Sequence, residues 1–361
     1  MKIAIVGAGN AGCAVAADLT MKGHEITLIK TSHAMHDDNF NYLLENNGKM
    51  TLNEFGEIKT ANIAKVTRDA SEIRGNEVVI IYIQTNFHEQ LIQRLAPYFE
   101  DDQIVLINPG YLSTAYMLKH CSDKKLIIAE AESSFIDGRI MEPGLFRVGF
   151  RNVRNPIGIY PAARREEAIA KLDQLQERFV YLNSVVEAAL HNPNLVVHTV
   201  GSIMSIPRIE SAKDQFCMYH EAYTRNNPAT WAVLDALDSE KMDVLEKLGF
   251  ERLPYVEACK YRNSLDDGMD AKEVFLNYAE MPTRAKGPVK VDSRYISEDV
   301  PQGLVMLEAL GKSLGVQTPI CTALIELASA ALGRSMRAEG RTPEKLGVEN
   351  IWKILRDAAN R

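Results

Sequence analysis

Lys2-Ile-Ala-Ile-Val-Gly-Ala-Gly-Asn-Ala-Gly12 opens the chain and decides its fold. Lys2 to Val6 is a short apolar run suited to a strand buried on both faces. Gly7-Ala8-Gly9-Asn10-Ala11-Gly12 follows at once, and an apolar helical stretch runs from Cys13 to about Met21. Gly23 stops that helix, and Glu25 to Lys30 reads as a second strand. A G-x-G-x-x-G by itself is weak evidence. Strand before, helix after and strand again within about thirty residues make it the fingerprint of a dinucleotide-binding unit. The first glycine permits the tight turn, the second lets backbone approach a pyrophosphate, and the third lets helix and strand pack closely. The helix N-terminus adds free N–H groups and a positive dipole. Gly7, Gly9, Asn10, Ala11 and Gly12 are therefore the expected pyrophosphate cradle. The blander reading is a glycine-rich turn of an unrelated α/β protein.

At 361 residues the chain has room for two domains, or one large one. Its 46% hydrophobic and 25% charged content is ordinary for a soluble enzyme. A net charge of −7 argues against a nucleic-acid partner. Five cysteines are widely separated and form no C-x-x-C pair, so neither a metal site nor a disulfide framework is expected. The first residues enter a strand directly, which leaves no room for a signal peptide, and no apolar run has membrane-spanning length. The expected setting is the reducing cytoplasm, with no membrane partner.

After the second strand, NAD-binding folds usually carry an acid that holds the ribose 2′-hydroxyl. Here Lys30, Thr31 and Ser32 stand in that place, and no acid appears before Asp37 and Asp38. A cation and hydroxyl donors suit a 2′-phosphate, so NADP is favoured over NAD. The alternative is a solvated Lys30 with the ribose held by backbone. Strand-like runs recur at Ile63 to Val66, Val78 to Ile83, Ile104 to Ile107 and Leu126 to Ala129, with a helix from Phe87 to Phe99 among them. That alternation predicts an α/β, Rossmann-type, doubly wound parallel sheet. Its strand C-termini mark Gln84, Thr85, Asn108 and Pro109 as cofactor neighbours. Asn108-Pro109-Gly110 reads equally well as an ordinary turn. Leu145 to Gly149 and Ile157 to Tyr160 look like further strands, and a charged helix from Ala163 to about Phe179 closes this half. Helical periodicity dominates afterwards, with Thr318-Pro319 and Thr342-Pro343 as helix starts and Gly333 as a stop. The expected domains are 1–182, binding the dinucleotide, and 183–361, mostly α-helical. Its apolar helices suggest a homodimer.

In the second half, His191, Asn194 and His198 are spaced three and four apart, so a helix would put them on one face. Pro193 fits the first turn of that helix, which makes His191 and Asn192 capping candidates. For His198, spacing alone favours a hydrogen-bonded core histidine. Ser293 to Pro301 precedes an amphipathic helix from about Gln302 to Leu314, stopped by Gly315. Capping that helix is the default reading of Asp299, and Arg294 reads as a surface charge. Spacing does not join this stretch to His198.

These pieces resemble the opine dehydrogenases, the octopine/nopaline dehydrogenase family, along nearly the whole chain. The resemblance lies in the N-terminal glycine unit, Asn108-Pro109-Gly110, the Asn-x-x-x-His of Asn194 and His198, the segment from Gly287 to Pro319, and Glu339-Gly340-Arg341-Thr342-Pro343-Glu344-Lys345-Leu346-Gly347. It implies that His198 and Asp299 form a catalytic pair, with Asn194 and Arg294 at the substrate. It also implies that reduced NAD(P) drives reductive condensation of an amino acid with a 2-oxo acid through an imine. NAD-dependent relatives carry an acid where this chain has Lys30-Thr31-Ser32, which keeps NADP favoured. Two alternatives stay open: a simple 2-oxo acid reductase resembling ketopantoate reductase, and a non-catalytic dinucleotide-binding sensor.

Overall fold

Short β-branched runs, buried on both faces, supply the central strands of the first half. The computed structural model of the chain describes residues 1–33, 35–282, 284 and 286–359. It divides into two compact units, Met1–Val185 and the chain from Val186 onward.

In the first unit the described residues form an eight-stranded sheet. Its strands are β1 (Lys2–Val6), β2 (Glu25–Ile29), β5 (Lys65–Thr67), β6 (Val78–Ile81), β7 (Ile104–Ile107), β8 (Ile127–Ala131), β11 (Asn155–Tyr160) and β12 (Phe179–Tyr181). Their order is β12-β11-β8-β7-β6-β1-β2-β5. All neighbours pair parallel except β11, which runs antiparallel to β8. The expected doubly wound parallel sheet is present, and α1 (Asn10–Met21) makes the first crossover. Gly23, at φ 88°, lets the His24 N–H reach back to the Leu19 carbonyl and end that helix.

A second sheet escaped the sequence reading. It contains β3 (Lys49–Glu54), β4 (Glu57–Asn62), β9 (Ile136–Glu142) and β10 (Leu145–Arg151), ordered β4-β3-β10-β9. So the strand read at Leu145 to Gly149 belongs here and not to the main sheet. This sheet packs on α1: an added Cβ at Gly138 would lie 2.8 Å from Ala14 Cβ. Asn10 Oδ1 accepts a bond from the Ile140 N–H. A helix covered on two sides must be apolar nearly all round, and residues 12–19 of α1 are all buried. The long helix read from Ala163 to Phe179 is also shorter, with α5 (Arg165–Leu172) ending before the edge strand β12. Between β2 and β8 lie α2 (Asp37–Glu45), α3 (His88–Leu95) and α4 (Thr114–His120).

Helices make up the second unit. They are α6 (Val185–Leu190, straddling the division), α7 (Pro193–Ile203), α8 (Ile206–Ala212), α9 (Met218–Ala222), α10 (Pro228–Lys247), α11 (Tyr255–Asn263) and α12 (Ala271–Ala279). Then follow α13 (Arg294–Ser297), α14 (Val305–Leu314), α15 (Pro319–Leu332), α16 (Met336–Glu339), α17 (Pro343–Leu346) and α18 (Val348–Ala359). Pro193, Pro319 and Pro343 each stand at a first helical position, where the missing N–H costs nothing. Gly315 and Gly333 end α14 and α15 in left-handed conformations. None of the helices is long and apolar enough to cross a membrane among the described residues.

A buried charge cluster ties the first unit together. Arg151 bonds Glu54 and Asp18, and Lys22 bridges Asp18 and Glu177. Burial, and then the neighbouring Asp18 carboxylate, push the Glu177 carboxyl up to about 8. Burial also raises Asp18, but the Glu177 proton, Arg151 and Lys22 overcome it and hold Asp18 at about 2. A raised folded-state value means that Glu177 stabilises the fold fully below its unfolded value and loses that contribution as pH rises towards 8. Asp18 has the opposite sign and loses its contribution only as pH falls towards 2. Melting temperature is expected to fall between about pH 5 and 8 in the native chain, and Glu177→Gln to flatten that fall. An equally steep profile in the variant would assign the slope to other groups.

Candidate active site

The glycine turn has the steric form its spacing suggested. Gly7 adopts φ 125°, and a Cβ there would lie 2.1 Å from the Tyr82 carbonyl oxygen. A Cβ on Gly12 would lie 1.8 Å from the Gly7 carbonyl oxygen. Gly9 differs. It is extended, at φ −93° and ψ −164°, and the nearest atom to an added Cβ is His36 Cδ2 at 3.9 Å. Two glycines thus let protein segments touch, while the middle one keeps an open approach before the first amides of α1, including those of Asn10 and Ala11. No acid stands in the first turn of α1. A pyrophosphate fits such a place by charge and by space.

At the end of β2 the picture differs from the expectation. Lys30 is only 4% exposed. Its ammonium bonds the Ser32 carbonyl at 3.0 Å and the Asp37 carboxylate at 3.0 Å. Lys30 therefore braces the loop from inside and is turned away from the role of a phosphate contact, because the later Asp37 folds back onto it. Arg68 donates to the Ser32 carbonyl and to Asp37, and Arg94 donates to the Thr31 carbonyl. These two arginines, both more exposed than Lys30, bring positive charge to Thr31 and Ser32. Further along the same sheet edge, Gln84 and Thr85 follow β6 in a short 3-10 turn. Asn108 follows β7, and both polar atoms of its buried amide lack a partner among the described residues. Pro109 continues that turn, and the Gly110 N–H bonds the Ala131 carbonyl.

The second unit brings together two residues that spacing left apart. His198 Nδ1 lies 2.8 Å from Asp299 Oδ2. Asn192 caps α7, its side chain accepting from the Asn194 N–H, which leaves His191 outside the helix and buried. Asn194 and His198 then lie one turn apart on α7. Asp299 ends the segment that begins with α13. Its backbone is helical and its side chain makes no cap bond, so the carboxylate serves His198 and not the helix that follows. Tyr295, not singled out in the sequence, stacks on the imidazole with ring centroids 3.8 Å apart and planes 8° apart. Arg294 is exposed, and its Nε donates to Glu298 at 2.5 Å.

The helix read from Gln302 begins differently. Val300–Leu304 forms a wide π turn, and α14 starts only at Val305. Pro301 explains it: a proline inside a regular helix removes one N–H and collides with the carbonyl four residues back, and a wider turn relieves both.

Comparison with known proteins sets this geometry in context. The family model described as NAD/NADP octopine/nopaline dehydrogenase, alpha-helical domain, matches residues 181–332. Residues 3–135 match the model described as ketopantoate reductase PanE/ApbA. An opine dehydrogenase of Arthrobacter sp. (strain 1C) is 25% identical over 96% of this chain and 95% of its own. A vitopine synthase of Allorhizobium ampelinum is 24% identical over 99% of each.

Over residues 181–332 the chain is similar to the octopine/nopaline dehydrogenases, and over nearly its whole length to curated opine-forming enzymes.

The fold agrees along the whole length. An octopine dehydrogenase solved with NADH and agmatine superposes with a TM-score of 0.79 at 18% identity, covering 100% of this chain and 98% of that one. A yersinopine dehydrogenase solved with NADP+ gives 0.68 at 14% identity, covering 100% and 99%. Opine dehydrogenases are NAD(P)-dependent oxidoreductases, and the open approach at Gly9 accords with that. Two of the stretches that resemble the family also meet in space. The Arg341 N–H donates to the Pro301 carbonyl, Arg341 Nε to Gln302 Oε1 at 2.9 Å, and Gln302 Nε2 to the Glu339 carbonyl. An added Cβ at Gly340 would lie 2.7 Å from the Pro301 oxygen. The wide turn after Asp299 is thus held by a fully buried guanidinium.

Because a Cβ at Gly9 meets only open space, Gly9→Ala is expected to melt within a few degrees of the native chain. The same methyl should weaken NAD(P)H binding at least about tenfold, or roughly 1.4 kcal/mol, in a fluorescence titration. Unchanged affinity would remove this turn from the cofactor site.

Proposed function

We propose that this chain reductively joins the amino group of an amino acid to a 2-oxo acid of the pyruvate type, with NADPH preferred as reductant. The observation that carries the reading is the 2.8 Å bond between His198 Nδ1 and Asp299 Oδ2. A carboxylate on Nδ1 fixes the neutral tautomer, so the proton sits on Nδ1 and the lone pair on Nε2. Nε2 takes a proton from the incoming ammonium, which frees the amine to add to the oxo carbon. It returns the proton to the departing hydroxyl as the adduct loses water and becomes the protonated imine. Asp299 stabilises the imidazolium between these steps. Arg294 clamps a substrate carboxylate, for which a planar guanidinium is suited. Asn194 holds a substrate oxygen one turn before His198. Reduced nicotinamide supplies the hydride when bound.

Gly7, Gly9 and Gly12 with the first amides of α1 hold the pyrophosphate. Gln84, Thr85, Asn108 and Pro109 line the sheet edge beyond it, where the Asn108 amide has bonds to give. The preference for NADPH rests on Arg68 and Arg94 beside Thr31 and Ser32. Octopine dehydrogenases of similar fold were solved with NADH and arginine and with NADH and pyruvate, which supports an amino acid and an oxo acid as the substrate classes.

The match of residues 3–135 to ketopantoate reductase favours a second reading, reduction of a 2-oxo acid without any amine. NADPH and NADH oxidation over a matrix of amino acids against pyruvate, oxaloacetate, glyoxylate and 2-oxoglutarate separates the two. Turnover only when both partners are present is the expected result, and turnover with the oxo acid alone would favour the second reading. His198→Asn is expected to lose about 10²–10⁴-fold in kcat with cofactor affinity nearly intact. Asp299→Asn should also lose turnover, through the charge behind the imidazole. A variant that lost only thermal stability would leave Asp299 a structural residue.

A further inference from the structure

We propose that Tyr295 is a positioning residue for the His198 imidazole, an inference that rests on the acid–base reading of His198. The bond to Asp299 fixes one point of the ring, Nδ1. One point is insufficient. The torsion that swings a histidine ring is broad, so the imidazole can tilt about that bond and carry Nε2 with it. A flat face laid against the ring removes the tilt. Tyr295 provides it, at 3.8 Å between centroids and 8° between planes. The other ring pairs of the second unit are tilted or edge-on, with interplanar angles from 44° to 88° among the described residues. Edge-on contact is an ordinary way to pack aromatic rings in a core, and a nearly parallel stack on a histidine is not what packing alone favours.

The two constraints are perpendicular. Asp299 acts in the plane of the imidazole and Tyr295 across it, so together they determine where Nε2 points. Both come from one short piece of chain. Tyr295 lies in α13, and Asp299 follows four residues later, after α13 has ended. Any shift of α13 against α7 moves both constraints together, which keeps the aim of Nε2 constant relative to that segment. The phenol hydroxyl has no part in this role, since the contact is made by the ring face.

Tyr295→Phe and Tyr295→Leu test the inference. Phenylalanine should keep kcat within about threefold of native, while leucine should lower kcat by about 10–100-fold, the scale of loss for a reacting group displaced by about an ångström. KM for both substrates and for cofactor should stay near native in each. An activity-independent signature accompanies this: the His198 ring-proton resonance, assigned by its loss in His198→Asn, is displaced by the tyrosine ring current. That displacement should persist in the phenylalanine variant and vanish in the leucine variant. Equal kcat losses in both variants would transfer the role to the hydroxyl and overturn the inference. A rise in KM alone would make Tyr295 a substrate contact and overturn it as well. Full turnover in Tyr295→Leu with turnover lost in His198→Asn overturns the Tyr295 role alone. Full turnover in both overturns the acid–base reading beneath it.

Discussion

One hydrogen bond, between Nδ1 of residue 198 and a carboxylate oxygen of residue 299, sets the requirements that the helical unit meets. Asp299 is 4% exposed, and a carboxylate so far out of water is tolerated only with firm partners. Its imidazole partner comes from a mostly apolar helix, α7, whose other polar side chains are Asn194, Thr199 and Ser202. The chain around Asp299 must then stay helical without closing a regular turn. Pro301 enforces that departure, and the Gln302–Arg341 contacts keep it from relaxing.

The first unit works under a different constraint, close approach of backbone. Gly7 and Gly12 have no side chain because Tyr82 and Gly7 already occupy the space. Gly9 has none although nothing in the protein occupies its space. A position held open without internal cause leaves room for the pyrophosphate proposed there. The same economy explains the apolar surround of α1, which is pressed between the main sheet and the small four-stranded one.

Much of this was legible, and the unreadable parts share a cause. β1, α1 and β2 follow one another within a single local unit, so their pattern of burial and their glycines speak for themselves. β7 was readable at both ends because Ile-Val-Leu-Ile is buried on both faces. The second sheet was not, since its polar strands find partners far along the chain: Leu52 pairs with Phe146. β4 is mostly exposed and carries almost no apolar alternation. Lys30 looked like an offered cation because nothing nearby announces that Asp37 and Arg68 will close over its loop. His198 and Asp299 could be joined only through the family resemblance, for no spacing rule spans the gap between α7 and the end of α13. Tyr295 lies inside the stretch from Ser293 to Pro301 and still carries no mark in the sequence, because a stacking role depends on the plane of a distant ring.

The brace at Arg341 has a consequence for how the chain becomes competent. Glu339, Gly340 and Arg341 emerge from the ribosome well after the imidazole and its carboxylate have been made. Until they arrive, Gln302 lacks its guanidinium and Pro301 alone favours the wide turn, with nothing to keep it from relaxing. Competence in this fold is therefore acquired late in synthesis, and a fragment ending after α15 would hold every proposed reactive group yet lack the means to keep them in register.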